Sequence, residues 1–270
     1  MKLSELRKIL KTLLKQNNKD VKDADFILSE VLNISVTNLF IERDVSLEDE
    51  QKIMNCISER LKGKPVTKIF NKAYFYGLEF FIDENVLSPR PETELVVDTA
   101  LSYLKGRDNL KVLDLCTGSG AIACAIKKYS DASVTASDIS NKALKVASLN
   151  AKNLGLDINF IKSDMFTEIQ DTFDIIVSNP PYIESDVCKT LDEEVLKFDP
   201  LISLDGGADG LDFYRTIKDN LNQLKPNGVL IMEIGYNQGE SLKQIFKEYK
   251  TEVLKDYNNL DRVVVVSKEV

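Results

Sequence analysis

The first 70 residues carry apolar side chains at the three- and four-residue spacing of amphipathic helices. The first such stripe consists of Leu3, Leu6, Ile9, Leu10, Leu13 and Leu14. Further stripes lie near residues 21–32, 36–41 and 53–61, the last of them after Ser46, a good N-cap residue. Because no strand-like alternation interrupts these stripes, they predict a small helical bundle over residues 1–70. The bundle has no catalytic group of side chains, so we expect it to dock the substrate.

An aromatic-rich segment from Tyr74 to Ile82 follows, and Gly77 interrupts it. Two short β-type runs around a glycine favour a hairpin, and we assign residues 71–87 to a hairpin linker. Its aromatic rings could pack between two domains or form a platform for stacked bases. Packing is the commoner use of such rings, and we favour it.

From residue 111 the pattern changes to strands that alternate with helices. Strand-like runs occur at 111–115, 133–137, 158–162, 173–178 and 229–233, and helical segments lie at about 120–130 and 140–153. Such alternation predicts a parallel sheet with helices on both faces, the α/β class. Two final runs at 252–257 and 262–266 flank a polar turn and predict an antiparallel edge. We therefore expect residues 88–270 to form one α/β domain.

Composition excludes several classes of chemistry. The chain of 270 residues has no histidine, which rules out a serine–histidine triad and a histidine general base. Its four cysteines show no metal-ligand spacing, so we expect reduced thiols and no metal. The formal charge of −8 argues against nucleic acid as the main partner. Without an apolar run of about 20 residues or a signal sequence, the expected location is the cytoplasm.

The first strand of the α/β region runs into a glycine-rich turn, Cys116-Thr117-Gly118-Ser119-Gly120, and then into a helix. Glycines let the backbone approach a ligand closely beside a helix N-terminus. The turn lacks the Gly-Lys-Ser/Thr of a Walker loop, and alanine at position 123 leaves a dinucleotide fingerprint incomplete. On its own the turn is a weak signal.

Acidic residues end the next two strands. Asp138 could accept both hydrogen bonds of a ribose diol. Asp164 could accept an adenine amino group while Met165 packs on the ring. Either aspartate could instead be a helix cap or a turn residue, because each precedes a helix or a turn.

The fourth strand leads into Asn179-Pro180-Pro181-Tyr182. Two prolines cannot continue a central strand, because each lacks an N–H and has a fixed φ. The turn is either only a stiff strand end or a rigid support for the Asn179 carboxamide, the Pro180 carbonyl and the Tyr182 ring. Four successive strand ends then carry ligand-competent groups, at the edge where parallel α/β sheets bind ligands. This joint pattern favours a nucleoside-containing cofactor with Asn179 at its reactive end.

Taken together, these motifs resemble those of class I S-adenosylmethionine-dependent methyltransferases, and specifically the release-factor glutamine methyltransferase family (PrmC/HemK). The resemblance covers nearly the whole chain. It is carried by the bundle, the hairpin, Ser88-Pro89-Arg90-Pro91-Glu92-Thr93-Glu94, Asp114 to Gly120, Asp138, Asp164, Asn179 to Tyr182, residues 205–211 and Glu233-Ile234-Gly235. The chain departs from relatives at Cys116, where glycine is common, and at Met165, where a larger aromatic residue is common.

The resemblance implies a Rossmann-like seven-stranded methyltransferase sheet with an antiparallel C-terminal edge. It implies methyl transfer from S-adenosyl-L-methionine to the glutamine side-chain amide in the Gly-Gly-Gln motif of peptide-chain release factors, with S-adenosyl-L-homocysteine as the other product. The implied cofactor-binding residues are Cys116, Thr117, Gly118, Ser119, Gly120, Asp138, Asp164, Met165 and Asn179. Asn179, Pro180 and Tyr182 are implied as catalytic residues, and the same three with Pro181 as substrate-binding residues.

An amide nitrogen is a weak nucleophile, because its lone pair is delocalised into the carbonyl group. The site therefore has to orient the nitrogen more than deprotonate it. We expect Asn179 Oδ1 and Pro180 O each to accept one N–H of the glutamine amide, with Tyr182 beside the amide plane.

Other functions stay open on the sequence alone. A glutamine methyltransferase of a ribosomal protein would share nearly all of these motifs. An adenine-N6 methyltransferase of nucleic acid uses the same Asn-Pro-Pro-Tyr chemistry, although the acidic charge and the lack of an inserted basic domain argue against it. An inactive cofactor-binding protein and an NAD-dependent oxidoreductase fit less well. We expect release factors as partners, no direct contact with nucleic acid or a membrane, and a monomer.

Overall fold

The computed structural model describes residues 1–268. The α-helices are α1 (Leu3–Gln16), α2 (Lys22–Leu32), α3 (Leu47–Leu61), α4 (Val66–Ile69), α5 (Glu94–Leu104), α6 (Ala121–Tyr129), α7 (Asn141–Asn153), α8 (Ser185–Cys188), α9 (Glu193–Phe198), α10 (Asp212–Asp219) and α11 (Gly239–Ile245). The strands are β1 (Lys72–Phe75), β2 (Leu78–Phe81), β3 (Lys111–Leu115), β4 (Ser133–Asp138), β5 (Asn159–Lys162), β6 (Phe173–Ser178), β7 (Leu224–Glu233), β8 (Lys250–Lys255) and β9 (Asp261–Ser267).

One compact unit consists of residues Met1–Lys72 together with Glu193–Phe198. Its core is formed by the apolar stripes of α1, α2 and α3. As the sequence indicates, Ser46 caps α3, with its Oγ accepting a hydrogen bond of 3.1 Å from the Asp49 N–H. The inclusion of α9 could not be predicted from the periodicity of residues 1–70.

Charged side chains hold α9 in this unit. Glu194 accepts hydrogen bonds of 2.9 Å from both Arg60 and Lys19. Arg60 also donates to Asp23 at 2.5 Å, and only 7% of its side chain is exposed. Because removing one partner of a buried ion pair leaves an uncompensated charge, Arg60 fixes the position of α9 within the unit.

The second unit, Ala73–Asp192 and Asp199–Val270, contains the hairpin that the aromatic segment predicts. Tyr76 and Gly77 form its two-residue turn, with φ values of 51° and 72°. Positive φ at both positions is typical of a hairpin turn whose twist matches that of its strands. Phe75 and Phe80 are buried in the core of this unit.

The buried carboxamide of Asn150 on α7 links the hairpin to the glycine-rich turn. Its Oδ1 accepts the Phe81 N–H at 2.8 Å, and its Nδ2 donates to Phe81 O at 3.0 Å and to Ser119 O at 2.9 Å. Asn150 thus pairs with the edge of β2 as a neighbouring strand would.

The main sheet has seven strands in the order β5-β4-β3-β6-β7-β9-β8, which confirms the predicted α/β class and the antiparallel C-terminal strands. The first five pair in parallel, and β9 is antiparallel to both β7 and β8. One face is covered by α5, α6 and α7, and the other by α10 and α11. Ile175, Ile176 and Val177 of β6 alternate between the two cores, since side chains alternate across a strand.

The strand order places a topological switch point between β3 and β6. From β3 the chain moves outward through β4 to β5, and then returns to the other side of β3 as β6. Ligands of open α/β sheets bind at the carboxyl ends of such strands.

None of the helices within residues 1–268 has the length and apolar character needed to span a bilayer.

Candidate active site

The carboxyl ends of β3, β4 and β6 are level with one another. Leu115 lies opposite Ser137 on one side and Ser178 on the other, and the Ser178 hydroxyl donates to Leu115 O at 2.7 Å. The residues that follow these strands therefore meet at one edge of the sheet, where they line a cavity of about 250 Å³. The predicted site residues that line it are Cys116, Thr117, Gly118, Ser119, Asp138, Asp164, Met165, Asn179 and Pro181.

The glycine-rich turn is tied to the end of β4. Thr117 N–H donates to Ser137 O at 2.9 Å, and Gly118 N–H donates to Asp138 Oδ2 at the same distance. Gly118 has a φ of 54°, and a Cβ added there would meet no protein atom within 4 Å. The backbone at Gly118 therefore borders open space, as close approach to a ligand requires.

Cys116 and Gly120 adopt special conformations in the same turn. Cys116 has a φ of 63°, in the left-handed region that glycine adopts without strain. Gly120 does not line the cavity. A Cβ on it would come within 3.0 Å of the Ala147 Cβ, so Gly120 permits the close packing of α6 on α7.

Asp114 lies beneath the turn and is fully buried. Its Oδ2 accepts the Thr117 hydroxyl at 2.6 Å and the Ala123 N–H at 3.1 Å, which joins the turn to the first residues of α6. Burial raises the pKa of its carboxyl group to about 7, and the hydrogen bonds oppose that rise.

Asp138 faces the cavity and does not cap α7. Its two carboxylate oxygens accept the Gly118 and Ser140 N–H groups, whereas Ser140 is the N-cap, with Oγ accepting the Ala143 N–H at 3.2 Å. Each oxygen keeps a second lone pair, which could accept from a diol. Burial raises the pKa of this carboxyl group.

Asp164 and Met165 follow β5 and line the cavity. Within residues 1–268 the Asp164 carboxylate makes no hydrogen bond, although its carbonyl accepts the Thr167 N–H at 3.0 Å. Met165 is buried, has a φ of 48°, and places its Sδ 3.8 Å from Cys116 Sγ. An acceptor and an apolar surface therefore lie side by side, as an adenine ring requires.

Asn179 belongs to a hydrogen-bonded network that the sequence does not reveal. Its Nδ2 donates to Thr93 Oγ1 at 3.3 Å, and the Thr93 hydroxyl donates to Glu233 Oε2 at 2.5 Å. The Tyr182 hydroxyl donates to the other oxygen of Glu233 at 3.2 Å. Thr93 and Glu233 both lie in segments that carry the family resemblance, but spacing alone assigns them no role.

Pro180 and Tyr182 lie beside the cavity without lining it. Pro180 is buried, and no hydrogen bond within residues 1–268 occupies its carbonyl oxygen. Burial next to Glu233 raises the pKa of the Tyr182 hydroxyl, so this group is protonated and acts as a donor.

Residues 205–211 pack against the backbone of the Asn179-Pro180-Pro181-Tyr182 turn and of Ile183. Gly206 N–H donates to Ile183 O at 2.8 Å, and a Cβ on Gly206 would come within 2.8 Å of Pro181 O. Gln238 Nε2 donates to Tyr182 O at 2.9 Å. Gly206 and Gly210 permit this close contact, because a Cβ on either would meet backbone atoms of Pro181 or Tyr182.

Arg90 pairs with a carboxylate of the protein. Its Nη2 donates to Asp199 Oδ2 at 3.2 Å, and half of its side chain is exposed.

Among residues 1–268, no three Cys, Asp or Glu side chains lie close enough together to hold a metal ion.

Two family profiles match the sequence. Residues 93–197 match the methyltransferase small domain, and residues 5–70 match the PrmC N-terminal domain. The release factor glutamine methyltransferase of Streptococcus pneumoniae is 40% identical over 275 residues, which cover 98% of each chain. The protein of the same name from Bacillus cereus is 34% identical over the full length of both chains.

A likeness among solved structures supports the fold. A 16S rRNA N2 methyltransferase from T. thermophilus, solved with AdoMet and guanosine, superposes with a TM-score of 0.53 at 20% identity, over 73% of this chain and 50% of that one. At that identity the likeness shows a methyltransferase fold. The full-length similarity above is far stronger, and the chain belongs to the release factor glutamine methyltransferase family.

Proposed function

We propose that this protein methylates N5 of the glutamine side chain in the Gly-Gly-Gln motif of peptide-chain release factors, with S-adenosyl-L-methionine as methyl donor. The family membership supports the reaction. The observation that carries it is the orientation of Asn179, whose Nδ2 is bound to Thr93 so that Oδ1 remains available as an acceptor at the cavity. An amide substrate needs such acceptors, because its nitrogen presents two N–H groups.

The cavity suits S-adenosyl-L-methionine in its distribution of polar groups. Asp138 would accept the ribose hydroxyls with its remaining lone pairs, and Asp164 would accept the adenine amino group beside Met165. The open space at Gly118 allows the ligand to approach the backbone. When bound, S-adenosyl-L-methionine supplies a methyl group attached to a positively charged sulfur atom, and S-adenosyl-L-homocysteine remains after transfer.

The protein's contribution to the reaction is orientation. Asn179 Oδ1 and Pro180 O would each accept one N–H of the glutamine amide, and Tyr182 would pack beside the amide plane. The two acceptors stabilise the positive charge that develops on nitrogen as the new N–C bond forms. One nitrogen proton is then lost to water, so the reaction needs no histidine base. Orientation of this kind contributes several kcal/mol to the lowering of a barrier.

The remaining assignments follow from this role. Residues 1–70 would dock the release factor, residues 71–87 would form a hairpin linker, and residues 88–270 would be the catalytic domain. Release factors are the expected protein partners. We further propose a monomer in the cytoplasm that has no direct contact with nucleic acid or a membrane.

The experiment is incubation of the purified protein with S-adenosyl-L-methionine that carries a labelled methyl group. Separate reactions contain recombinant release factor, the same factor with its Gly-Gly-Gln glutamine changed to alanine, ribosomal proteins, or adenine-containing DNA and RNA. We expect label only in the unchanged release factor. Label in ribosomal proteins or nucleic acid, with none in the release factor, would refute this function and favour the corresponding alternative.

A further inference from the structure

We propose that Thr93 and Glu233 are positioning residues that fix which end of the Asn179 carboxamide faces the substrate. This inference rests on the proposed function, because it concerns how the same site holds an amide. Thr93 lines the cavity and Glu233 does not, and neither has a substrate contact in the proposed reaction. The three residues come from separate parts of the chain, at positions 93, 179 and 233.

The direction of each hydrogen bond follows from the chemistry of its partners. When its carboxyl group is ionised, Glu233 can only accept, so Thr93 and Tyr182 must both donate their hydroxyl protons to it. Thr93 has then used its single proton, and its oxygen can act only as an acceptor toward Asn179. A carboxamide has a donor end and an acceptor end, so Asn179 must present its NH₂ group to Thr93.

The opposite orientation of Asn179 would be unfavourable for two reasons. Its Oδ1 would face the Thr93 oxygen with no proton between them, and its NH₂ would face a substrate amide that also offers N–H groups. The hydrogen bonds from Asn179 to Thr93 and from Thr93 to Glu233, which we call the relay, therefore hold the Asn179 carboxamide with Oδ1 toward the substrate.

Burial of Thr93 and Glu233 strengthens the preference for this orientation of the Asn179 carboxamide. Thr93 is 4% exposed and Glu233 is 2% exposed, so water has little access as an alternative partner. The 2.5 Å separation between Thr93 Oγ1 and Glu233 Oε2 is typical of a hydroxyl bound to a charged acceptor. Tyr214 on α10 fixes the same residue through its backbone, with its hydroxyl donating to Glu233 O at 2.8 Å.

The charge of Glu233 makes the relay sensitive to pH. Burial raises the pKa of Glu233, as does Glu92, whereas Arg262 on β9 and the Thr93 and Tyr182 hydroxyls lower it. Tyr214 also lies beside Glu233, and its pKa is raised well above the ordinary value by burial, so it stays neutral. A protonated Glu233 could donate to Thr93, which would turn the Thr93 proton toward Asn179. The acceptor orientation is therefore favoured above the pKa of Glu233 and lost as pH falls through it.

The test is Thr93→Val, which keeps the shape of the side chain and removes the hydroxyl. We expect kcat to fall by about 10- to 100-fold, because the acceptor is no longer oriented. The Kd of S-adenosyl-L-methionine and the KM of the release factor should stay within about twofold, since Thr93 has no assigned contact with either and valine keeps its shape in the cavity wall. Thr93→Ser should restore most of kcat. In the wild type, kcat should fall as the pH drops through the pKa of Glu233. In Thr93→Val this fall should be weaker, an effect that a purely structural role of Thr93 would not produce.

Thr99→Val is the matched control. Thr99 is also a buried threonine, in the middle of α5, and among residues 1–268 its hydroxyl bonds only to Leu95 O. Its kcat and pH profile should match those of the wild type. Thr93→Ala replaces Thr93→Val if the valine variant does not fold.

A second measurement is independent of turnover. In ¹⁵N-labelled protein, the Asn179 side-chain N–H signals, identified by their loss in Asn179→Asp, should exchange with solvent about tenfold more slowly in the wild type than in Thr93→Val. Equal exchange rates, or a Thr93→Val kcat equal to that of the wild type, would overturn the relay. Suppose instead that exchange is slower in the wild type than in Thr93→Val, but that the wild type does not methylate the release factor. That result would refute the proposed function and leave the relay supported.

Discussion

The two ends of the cavity are built in different ways. At the end that we assign to the cofactor, the ligand-competent groups lie where strands end: Cys116 to Ser119 follow β3, and Asp138 is the last residue of β4. At the acceptor end, Asn179 depends on Thr93 and Glu233, which are distant in sequence and reach it only through hydrogen bonds. Cofactor binding therefore depends on the local backbone at each strand end. The orientation of Asn179 depends on contacts that exist only in the assembled sheet. Changes at the two ends should therefore separate affinity from turnover.

The largest expected effect is at the acceptor end. Asn179→Ala should reduce kcat by about 10²- to 10³-fold, because one of the two groups that orient the amide is lost. The Kd for S-adenosyl-L-methionine, measured by calorimetry, should change little. Asn258→Ala, at the exposed turn between β8 and β9, is the matched control and should retain full activity. A near-normal kcat for Asn179→Ala would end the assignment of Asn179 as the acceptor.

At the cofactor end, Asp138→Ala should raise the Kd of S-adenosyl-L-methionine by about 10- to 100-fold, because hydrogen bonds to a charged group are lost. The kcat at saturating cofactor should stay near that of the wild type. Asp131→Ala removes an exposed aspartate just before β4 and serves as the control. An unchanged Kd for Asp138→Ala would refute the ribose assignment.

Two glycine substitutions compare the ends directly. Gly206→Ala would push a methyl group against Pro181 O and displace the turn that bears Asn179, so kcat should fall by about tenfold. Gly118→Ala would place its methyl group in open space beside the cavity and in a left-handed conformation, so the Kd for cofactor should rise while kcat is retained. Steady-state kinetics with calorimetry would distinguish the two. The same parameter affected in both variants would mean that the two ends are not separable.

The smallest expected effect is on the pH dependence of binding. In the assignment we propose, the ionised form of Asp138 accepts the ribose diol, and burial raises the pKa of this carboxyl group. Affinity for S-adenosyl-L-methionine should therefore be full above that pKa and weaken several-fold as pH falls through it. Asp138→Asn should bind more weakly at neutral pH and lose this dependence. Calorimetric titrations at successive pH values would test both points, and a parallel pH dependence in Asp138→Asn would assign it to another group.

Much of the fold follows from periodic patterns. The strand run 173–178 coincides with β6, and 111–115 coincides with β3, because buried strands of parallel sheets are continuous apolar runs bounded by turns. The run 229–233 captures only the second half of β7, which begins at Leu224 and includes Pro226 and Gly228. Both residues disfavour strand interiors, and both lie in the irregular stretch between Leu224 and Val229, where the register of β7 on β6 shifts.

The sequence by itself determined the family, the succession of strands in the main sheet with the helices that follow β3 and β4, and the residues that end β3, β4, β5 and β6. These features are local, since backbone preference and side-chain period act over a few neighbouring residues. Only the tertiary structure decided that α9 belongs with residues 1–72, that Gly120 serves packing of helices, and that Thr93 and Glu233 orient Asn179. Those outcomes depend on contacts between residues far apart in the chain, and a hydrogen bond has a direction only once both of its partners are in place.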